Sequence, residues 1–432
     1  MQNRREFLGA LAAPAAAVAA TGVLLPSRAR AAVEELAGVE GTPEELAEDE
    51  AYWAVVQRAF TVDRSLVNLN NGGVSPSPAF VQEAMKSHLD FSNEMPVHNM
   101  WRILEPRREF VRERLAKAWG VDTEEVAVTR NASEGLQTCQ FGFDLEPGDE
   151  VLTTTQDYHR MQTTFRQRER RDGIVLRRFS LPIPCEDPAR VVELFREHIS
   201  DRTRLILMCH MVNLTGQILP VREVVAMARE RGIPVIVDGA HALAHFEFRL
   251  DELECDYYAT SLHKWLFAPH GTGLLYVRRE KIADLWPLMG AREEQTDDIR
   301  KFEEIGTHPA ANFLAIGEAL TFHEGIGAAR KQARLVHLRE RWVRRLLASD
   351  RVRLNTSLAP GHACGIANVT IEGLDTQALR DHLWDAHGIF TAAINHEEFQ
   401  GLRVSPSVYT THEELDRFCD AVEKVMRNGL PA

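Results

Sequence analysis

Between residues 125 and 277 the chain repeats one pattern: a short apolar run, then a polar turn, then helical periodicity. Apolar runs occur at 125–128, 150–153, 174–177, 204–208, 234–237, 257–259 and 273–277. Helical patterns such as 191–199 and 221–231 fill most of the gaps. Strands separated by helices cannot pair as hairpins. They predict an α/β fold, a mostly parallel seven-stranded sheet covered by helices. The gap before the last run is short, so that connection is expected to be antiparallel. Helical periodicity also covers roughly 79–92 and 105–118, and 68–78 is rich in turn residues. From about 310 a long helix leads into a smaller α+β region ending near 428. The expected division is a leader at 1–31, an acidic helical arm at 32–75 with little core of its own, a large domain at 76–305 and a small C-terminal domain at 306–432.

The leader is read from its order of residues. Arg4-Arg5-Glu6-Phe7-Leu8 precedes an apolar, alanine-rich run to Leu25, and Ala29-Arg30-Ala31 supplies a small-x-small cleavage site. The arginine pair before Phe-Leu is the pattern of a twin-arginine export signal, which implies a periplasmic or secreted protein. Cleavage after Ala31 would remove four arginines and one glutamate and take the net charge from −13 to −16. Such a balance argues against nucleic acid as a partner. No later stretch is apolar enough to span a bilayer. The basic cluster Arg166, Arg168, Arg170 and Arg171 reads as a solvated helix face. None of the six cysteines has CxxC spacing, so they are expected to be mostly free, buried thiols, and no metal motif is present.

In open α/β sheets ligands bind beyond the carboxyl ends of the strands. The residues that follow the apolar runs are therefore the candidates. They are Thr129 to Gly135, then Asp157-Tyr158-His159, then His210 to Asn213, then Asp238-Gly239-Ala240-His241, then Ser261-Leu262-His263-Lys264. A phosphate-type turn, an aromatic ring, an amide, a carboxylate and a lysine thus converge on one rim. A lysine amine can form an imine with an aldehyde. A carboxylate raises the pKa of a ring nitrogen beside it. Backbone N–H groups of Ala132, Ser133 and Glu134 at a helix start suit a phosphate. These are the needs of pyridoxal phosphate (PLP), with Lys264 as its Schiff base and Asp238 as its ring-nitrogen partner. Ser261 and His263 are further phosphate donors. Tyr158, or His159, would stack on the ring, and Asn213 and His241 would bond its phenolic oxygen.

Several motifs together resemble the class V aminotransferases of PLP fold type I: Val237-Asp238-Gly239-Ala240-His241, Ser261-Leu262-His263-Lys264 with the lysine 26 positions after Asp238, Asn131-Ala132-Ser133-Glu134-Gly135, Gly306-Thr307 and Arg403-Val404-Ser405. The resemblance runs from about 65 to 428. It implies a homodimer with active sites at the subunit interface, Thr307 reaching the phosphate of the neighbouring subunit's cofactor, and Arg403 gripping the substrate α-carboxylate. Asn71-Gly72 and Trp101-Arg102 are candidates for the substrate mouth.

The His263-Lys264-Trp265 run and the Arg403-Val404-Ser405-Pro406 segment are most similar to the isopenicillin N epimerase-like branch. That branch implies an enzyme that condenses with an amino acid, or a small molecule containing one, and reacts at Cα as an aminotransferase or epimerase. The desulfurase branch carries a nucleophilic cysteine shortly before the carboxylate-binding arginine. Residues 388–402 hold none, and Cys364 lies 39 positions before Arg403. The remaining alternatives are a C–S or C–N lyase on the same fold and an exported binding protein without catalysis. A nicotinamide enzyme is disfavoured, because no GxGxxG follows a strand.

Overall fold

The computed structural model describes residue 36 and residues 38–430. The leader, with Arg4 and Arg5, lies outside the described residues.

The central sheet forms from β2 (Val126–Thr129), β3 (Glu150–Thr154), β4 (Val175–Phe179), β5 (Thr203–Cys209), β6 (Val235–Asp238), β7 (Tyr257–Ser261) and β8 (Gly273–Val277), after a short β1 at Val67–Asn68. Its order is β2-β8-β7-β6-β5-β3-β4. Pairs β4/β3, β3/β5, β5/β6 and β6/β7 are parallel; β8 is antiparallel to both β7 and β2. The seven runs and the antiparallel last pair are those read from the periodicity. Every residue of β2, β3, β6, β7 and β8 is buried, as strands covered on both faces must be.

Because only β8 is reversed, the carboxyl ends of β2, β3, β5, β6 and β7 share one rim, joined there by the start of β8. Close packing keeps the helix after β2 on that sheet. A Cβ added to Gly135 would sit 2.8 Å from Ala259 Cβ, too close for any side chain.

The arm is better packed than its composition suggests. The helices Pro43–Glu48 and Glu50–Arg58 bury Leu46, Tyr52, Trp53 and Val56 in the main core. Their charged residues face solvent while one apolar stripe docks on the long helix Ala328–Leu346. The expected long helix from 310 is three helices, Ala310–Leu314, Ile316–Ile326 and Ala328–Leu346. A second core gathers β9 (Val352–Leu354), β10 (Ala367–Ile371), β13 (Gln400–Val404) and the last helix, His412–Asn428, which ends where expected. That antiparallel sheet has the order β12-β13-β10-β9, with β12 at Ala392–Asn395. β11 (Ile389–Phe390) instead pairs in parallel with β1, tying residues 67–68 to the C-terminal region.

Arg168 departs from the solvated face expected of its cluster. It is buried and donates to the Gln140 and Phe143 carbonyls and to Asp172, whereas Arg166, Arg170 and Arg171 are exposed. Its long side chain satisfies carbonyls of the neighbouring segment 140–143.

Glu303 locks the front of the large domain. One oxygen accepts from the Val128 N–H at 2.6 Å and from Arg112 Nη1 at 2.7 Å; the other accepts from Arg112 Nη2 at 2.9 Å and Arg108 Nη1 at 3.0 Å. Arg112 is fully buried. Removing Glu303 takes away the buried carboxylate shared by Arg112, Arg108 and the Val128 N–H, and leaves buried Arg112 paired only with half-exposed Glu109. Glu303→Ala is expected to cost about 3–5 kcal/mol, read by urea denaturation; a loss below about 1 kcal/mol, the scale of a surface pair, would count against this role.

Candidate active site

A cavity of about 390 Å³ opens at the rim, lined by side chains from all five strand ends and from the start of β8. Asp238 and Lys264 both line it. Asp238 ends β6, and its backbone pairs in register with Cys209 on β5 and Ala259 on β7. One carboxylate oxygen accepts the Ala240 N–H at 2.9 Å. Burial raises the Asp238 pKa to about 6, against the lowering effects of that N–H and of Lys264; buried Asp157 adds to the rise.

Lys264 follows β7 in the turn that returns to β8. Burial lowers its amine to about 8, opposed by the attraction of Asp238 and helped by the positive charge of Arg403. Its Nζ lies 3.0 Å from His241 Nε2. Burial also drives His241 well below the usual histidine range, so the ring is neutral, and its Nδ1 is buried without a partner. Behind this group His245 accepts the Gly365 N–H at Nε2, donates Nδ1–H to the His241 carbonyl, and stacks on Trp265 at 3.5 Å. The loop carrying the lysine therefore rests on a packed aromatic layer.

The opposite end of the cavity is the start of the helix Ala132–Gly142. Ser133 lines it; the Ala132 N–H donates to Ser261 Oγ at 2.9 Å; His263 bonds the Thr272 carbonyl through Nδ1 and is held neutral by burial, near 4. Glu134, like Ala132, has its N–H engaged within the chain. Its N–H is taken by the N-cap Asn131 side chain at 2.8 Å, and its carboxylate by Arg130. Asn131 lines the cavity instead; an Asn directly before a helix was the available signal.

Tyr158 and Asn213 also line the cavity, while exposed His159 lies outside it. Arg403 is buried but does not line it. Its guanidinium donates to the Asn213 carbonyl at 2.9 Å and Asn70 Oδ1 at 2.6 Å, and its Nε is unpartnered. Burial lowers it to about 10.

Two mouth candidates do not line this cavity. Asn71 is fully buried, with its amide on the Asn68 and Ser405 carbonyls and its oxygen on the Tyr409 hydroxyl, so it braces the turn whose Gly73 reaches the cavity. Trp101 is exposed on the segment Asn99–Leu104, away from the cavity of its own chain. Thr307 lies on an exposed loop, also outside that cavity. Arg160, Cys209, Met211 and Gly271 line the cavity without having been singled out. Cys209 was findable as the residue ending β5 beside Asp238. All six cysteines are buried and unpaired.

These groups fit PLP. A buried carboxylate with a single N–H partner suits a protonated ring nitrogen, and a partly neutral amine suits an aldehyde. Backbone N–H groups at a helix start, beside a serine hydroxyl, suit a phosphate. The unpartnered Nδ1 of His241 and Oδ1 of Asn213 are further buried polar atoms beside the same space.

Residues 67–418 match the family model described as Aminotransferase class-V. Isopenicillin N epimerase of Streptomyces clavuligerus is 32% identical over 391 residues, which cover 86% of this chain and 98% of that protein. A probable cysteine desulfurase of Pseudomonas aeruginosa is 31% identical, over 69% of this chain and 78% of that one. A solved structure of a C-DES mutant, with glycine covalently linked to its PLP cofactor, superposes with a TM-score of 0.73 at 23% identity, covering 83% of this chain and 96% of that one.

Two outcomes follow for the cofactor. The rate at which apoprotein turns yellow with PLP should rise with pH and level off above about 8, because only the deprotonated Lys264 amine attacks the aldehyde; a midpoint near the ordinary lysine value would contradict the burial argument. Asp238→Asn should weaken PLP binding roughly 100-fold or more, the equivalent of about 3–5 kcal/mol for one lost partner of a buried ion pair, as read by equilibrium dialysis.

Proposed function

The chain belongs to the class V aminotransferase family of PLP-dependent enzymes, and from that membership we propose that it condenses with the amino group of an amino acid, or of a small molecule that contains one, and reacts at Cα as an epimerase or aminotransferase. The observation that carries this reading is a single cavity lined by both a partly buried lysine with an amine pKa of about 8 and a buried carboxylate. When bound, PLP supplies an aldehyde that takes the substrate amine and a ring that accepts the electron pair left at Cα.

The chain's own residues supply the rest. Lys264 would be the group that takes and returns the Cα proton, and an amine near 8 is matched to that task at neutral pH. Asp238 keeps the ring nitrogen protonated. Neutral His241 and the Asn213 amide would bond the ring's phenolic oxygen, Tyr158 would stack on the ring, and Ser133, Ser261 and His263 would hold the phosphate. Arg403 meets the substrate carboxylate by exchanging its hold on Asn70 Oδ1.

A desulfurase-type reaction is less well supported. The turn between β12 and β13, residues 396–399, carries no cysteine. Cys209, which does line the cavity, has its thiol pushed far above the usual range by burial and by Asp157 and Asp238, so it is no nucleophile at neutral pH.

A second copy of the chain is part of the proposal. Met95, Val97 and Trp101 are exposed apolar side chains, 61%, 65% and 47% accessible. The helix Ala310–Leu314, directly after the Thr307 loop, packs against Ala79–Glu94 and Asn99–Leu104. One apolar face thus lies beside Thr307, where a partner subunit's cofactor phosphate would need it. Arg4-Arg5 and the small-residue cleavage site support export of the folded, cofactor-loaded chain by the twin-arginine route. Among the described residues no helix is long and apolar enough to cross a membrane.

The test is a panel of amino acids and amino-terminal peptides given to pure holoenzyme. A pyridoxamine form marks transamination, deuterium uptake at Cα with the amine retained marks epimerisation, and ammonia with a keto acid marks a lyase. A yellow protein inert to every amine would sink the reading in favour of a binding protein. Lys264→Ala should lower turnover by about 10²–10⁴-fold, the worth of one general acid–base group; turnover equal to wild type would remove Lys264 from the mechanism. Val97→Glu with Trp101→Glu should shift the protein from dimer to monomer in sedimentation velocity.

A further inference from the structure

A second cavity, of about 470 Å³, meets the first at Asn213, which lines both. Its floor is the start of α1 (His159–Asp172), with Gln162 and Arg166; its roof is the turn joining β12 to β13, with Asn395, His396 and Glu397. That roof is tied down. The Glu398 carboxylate accepts from the hydroxyls of Thr155 and Ser180 and from Gln156 Nε2. His396 donates Nε2–H to the Thr155 carbonyl at 3.0 Å and accepts the Glu398 N–H at Nδ1. Both ring nitrogens are thereby used, and the cavity is preformed, which lowers the ordering cost of binding.

Its charges favour an anion. Exposed Arg166 forms no ion pair among the described residues. Arg178 Nη1 is shared between Gln162 Oε1 and Glu397 Oε1, each at 3.2 Å, and the Glu397 side chain is 54% exposed. A surface pair of that kind exchanges readily, since it is worth under about 1 kcal/mol. Helix α1 begins with no side-chain cap and no acid in its first turn, so its positive end faces the junction of the two cavities. Among the described residues two more carboxyls oppose an anion here: Glu398, whose carboxylate is already engaged by Thr155, Ser180 and Gln156, and buried Asp157. One of its oxygens accepts from Thr154, the other is buried without a partner, and burial pushes the group toward its neutral form.

We propose that this cavity is a distal subsite that receives a carboxylate at the far end of the substrate's side chain, several bonds from the amine that reacts at Lys264. Arg166 and Arg178 bind it, and the latched β12–β13 turn fixes how far from Cα it must lie. The proposal rests on the amino-acid reading above and narrows it to α-amino compounds with a second, remote anion.

The probes are L-glutamate, L-2-aminoadipate and L-2-aminopimelate, each beside the neutral analogue in which the distal carboxylate is an amide. Dissociation constants come from the change in cofactor absorbance of the holoenzyme. One chain length should bind at least tenfold more tightly as the carboxylate than as the amide. In Arg166→Gln/Arg178→Gln that ratio should fall to within about twofold, while Arg166→Lys/Arg178→Lys retains part of it and controls for folding. Binding with no charge preference at any length, or a preference that survives the glutamine pair, overturns the subsite and leaves the amino-acid reading intact. No absorbance change with any amine overturns both.

Discussion

A buried acid and a partly buried lysine at the ends of neighbouring strands set the terms for the rest of the molecule. Asp238 and Lys264 each cost desolvation energy in their folded positions, and each shows it: the acid rises to about 6 and the amine falls to about 8. Neither value occurs for an exposed side chain of its kind. Their partial neutrality makes the rim chemically useful, one group ready to meet a cation and the other ready to attack a carbonyl. The fold holds them with the Ala240 N–H on Asp238 and a neutral His241 beside Lys264, while leaving His241 Nδ1 and Asn213 Oδ1 unpartnered at the same rim.

Holding such groups demands a stiff support. Strands β5, β6 and β7 pair in register at the rim, so the end of one cannot shift without its neighbours. The helix from Ala132 lies flush on the sheet because Gly135 has no side chain, and that contact points the helix start at the cavity. Glu303 pins β2 to the front of the domain through Val128 and Arg112. The lysine turn is backed by the stacked pair His245 and Trp265. Each device converts ordinary packing into the placement of one functional atom.

The large domain was readable because its signals are local. Apolar runs and helical gaps reported seven strands and their mostly parallel order, and the residues after the runs reported Asp238, Lys264, Tyr158, Asn213, Ser133 and Ser261 at one cavity. Misreadings arose where a residue's role depends on which partner holds it. Glu134 sits in the right motif, yet its N–H is consumed by Asn131. Asn71 sits in the right turn, yet Tyr409 and Ser405 hold it as a brace. Arg168 belongs to a basic cluster, yet it is buried on the Gln140 carbonyl. The cap on Glu134 is local, from Asn131 three positions earlier, whereas the contacts that hold Asn71 and Arg168 come from distant segments.

By itself, then, the order of amino acids determined the strand–helix rhythm, the rim on which chemistry collects, and the lysine–carboxylate spacing that marks the family, since each depends on periodicity or on the residue closing a strand. Tertiary structure alone decided which N–H groups are taken up within the chain, that Arg403 is held by the Asn213 carbonyl and Asn70 rather than lining the cavity, and that the β12–β13 turn roofs a second cavity over Arg166 and Arg178. The physical reason is range. Backbone propensity and hydrophobic alternation act over a few residues, whereas desolvation and hydrogen-bond competition are settled between side chains hundreds of positions apart, once the domains have closed on each other.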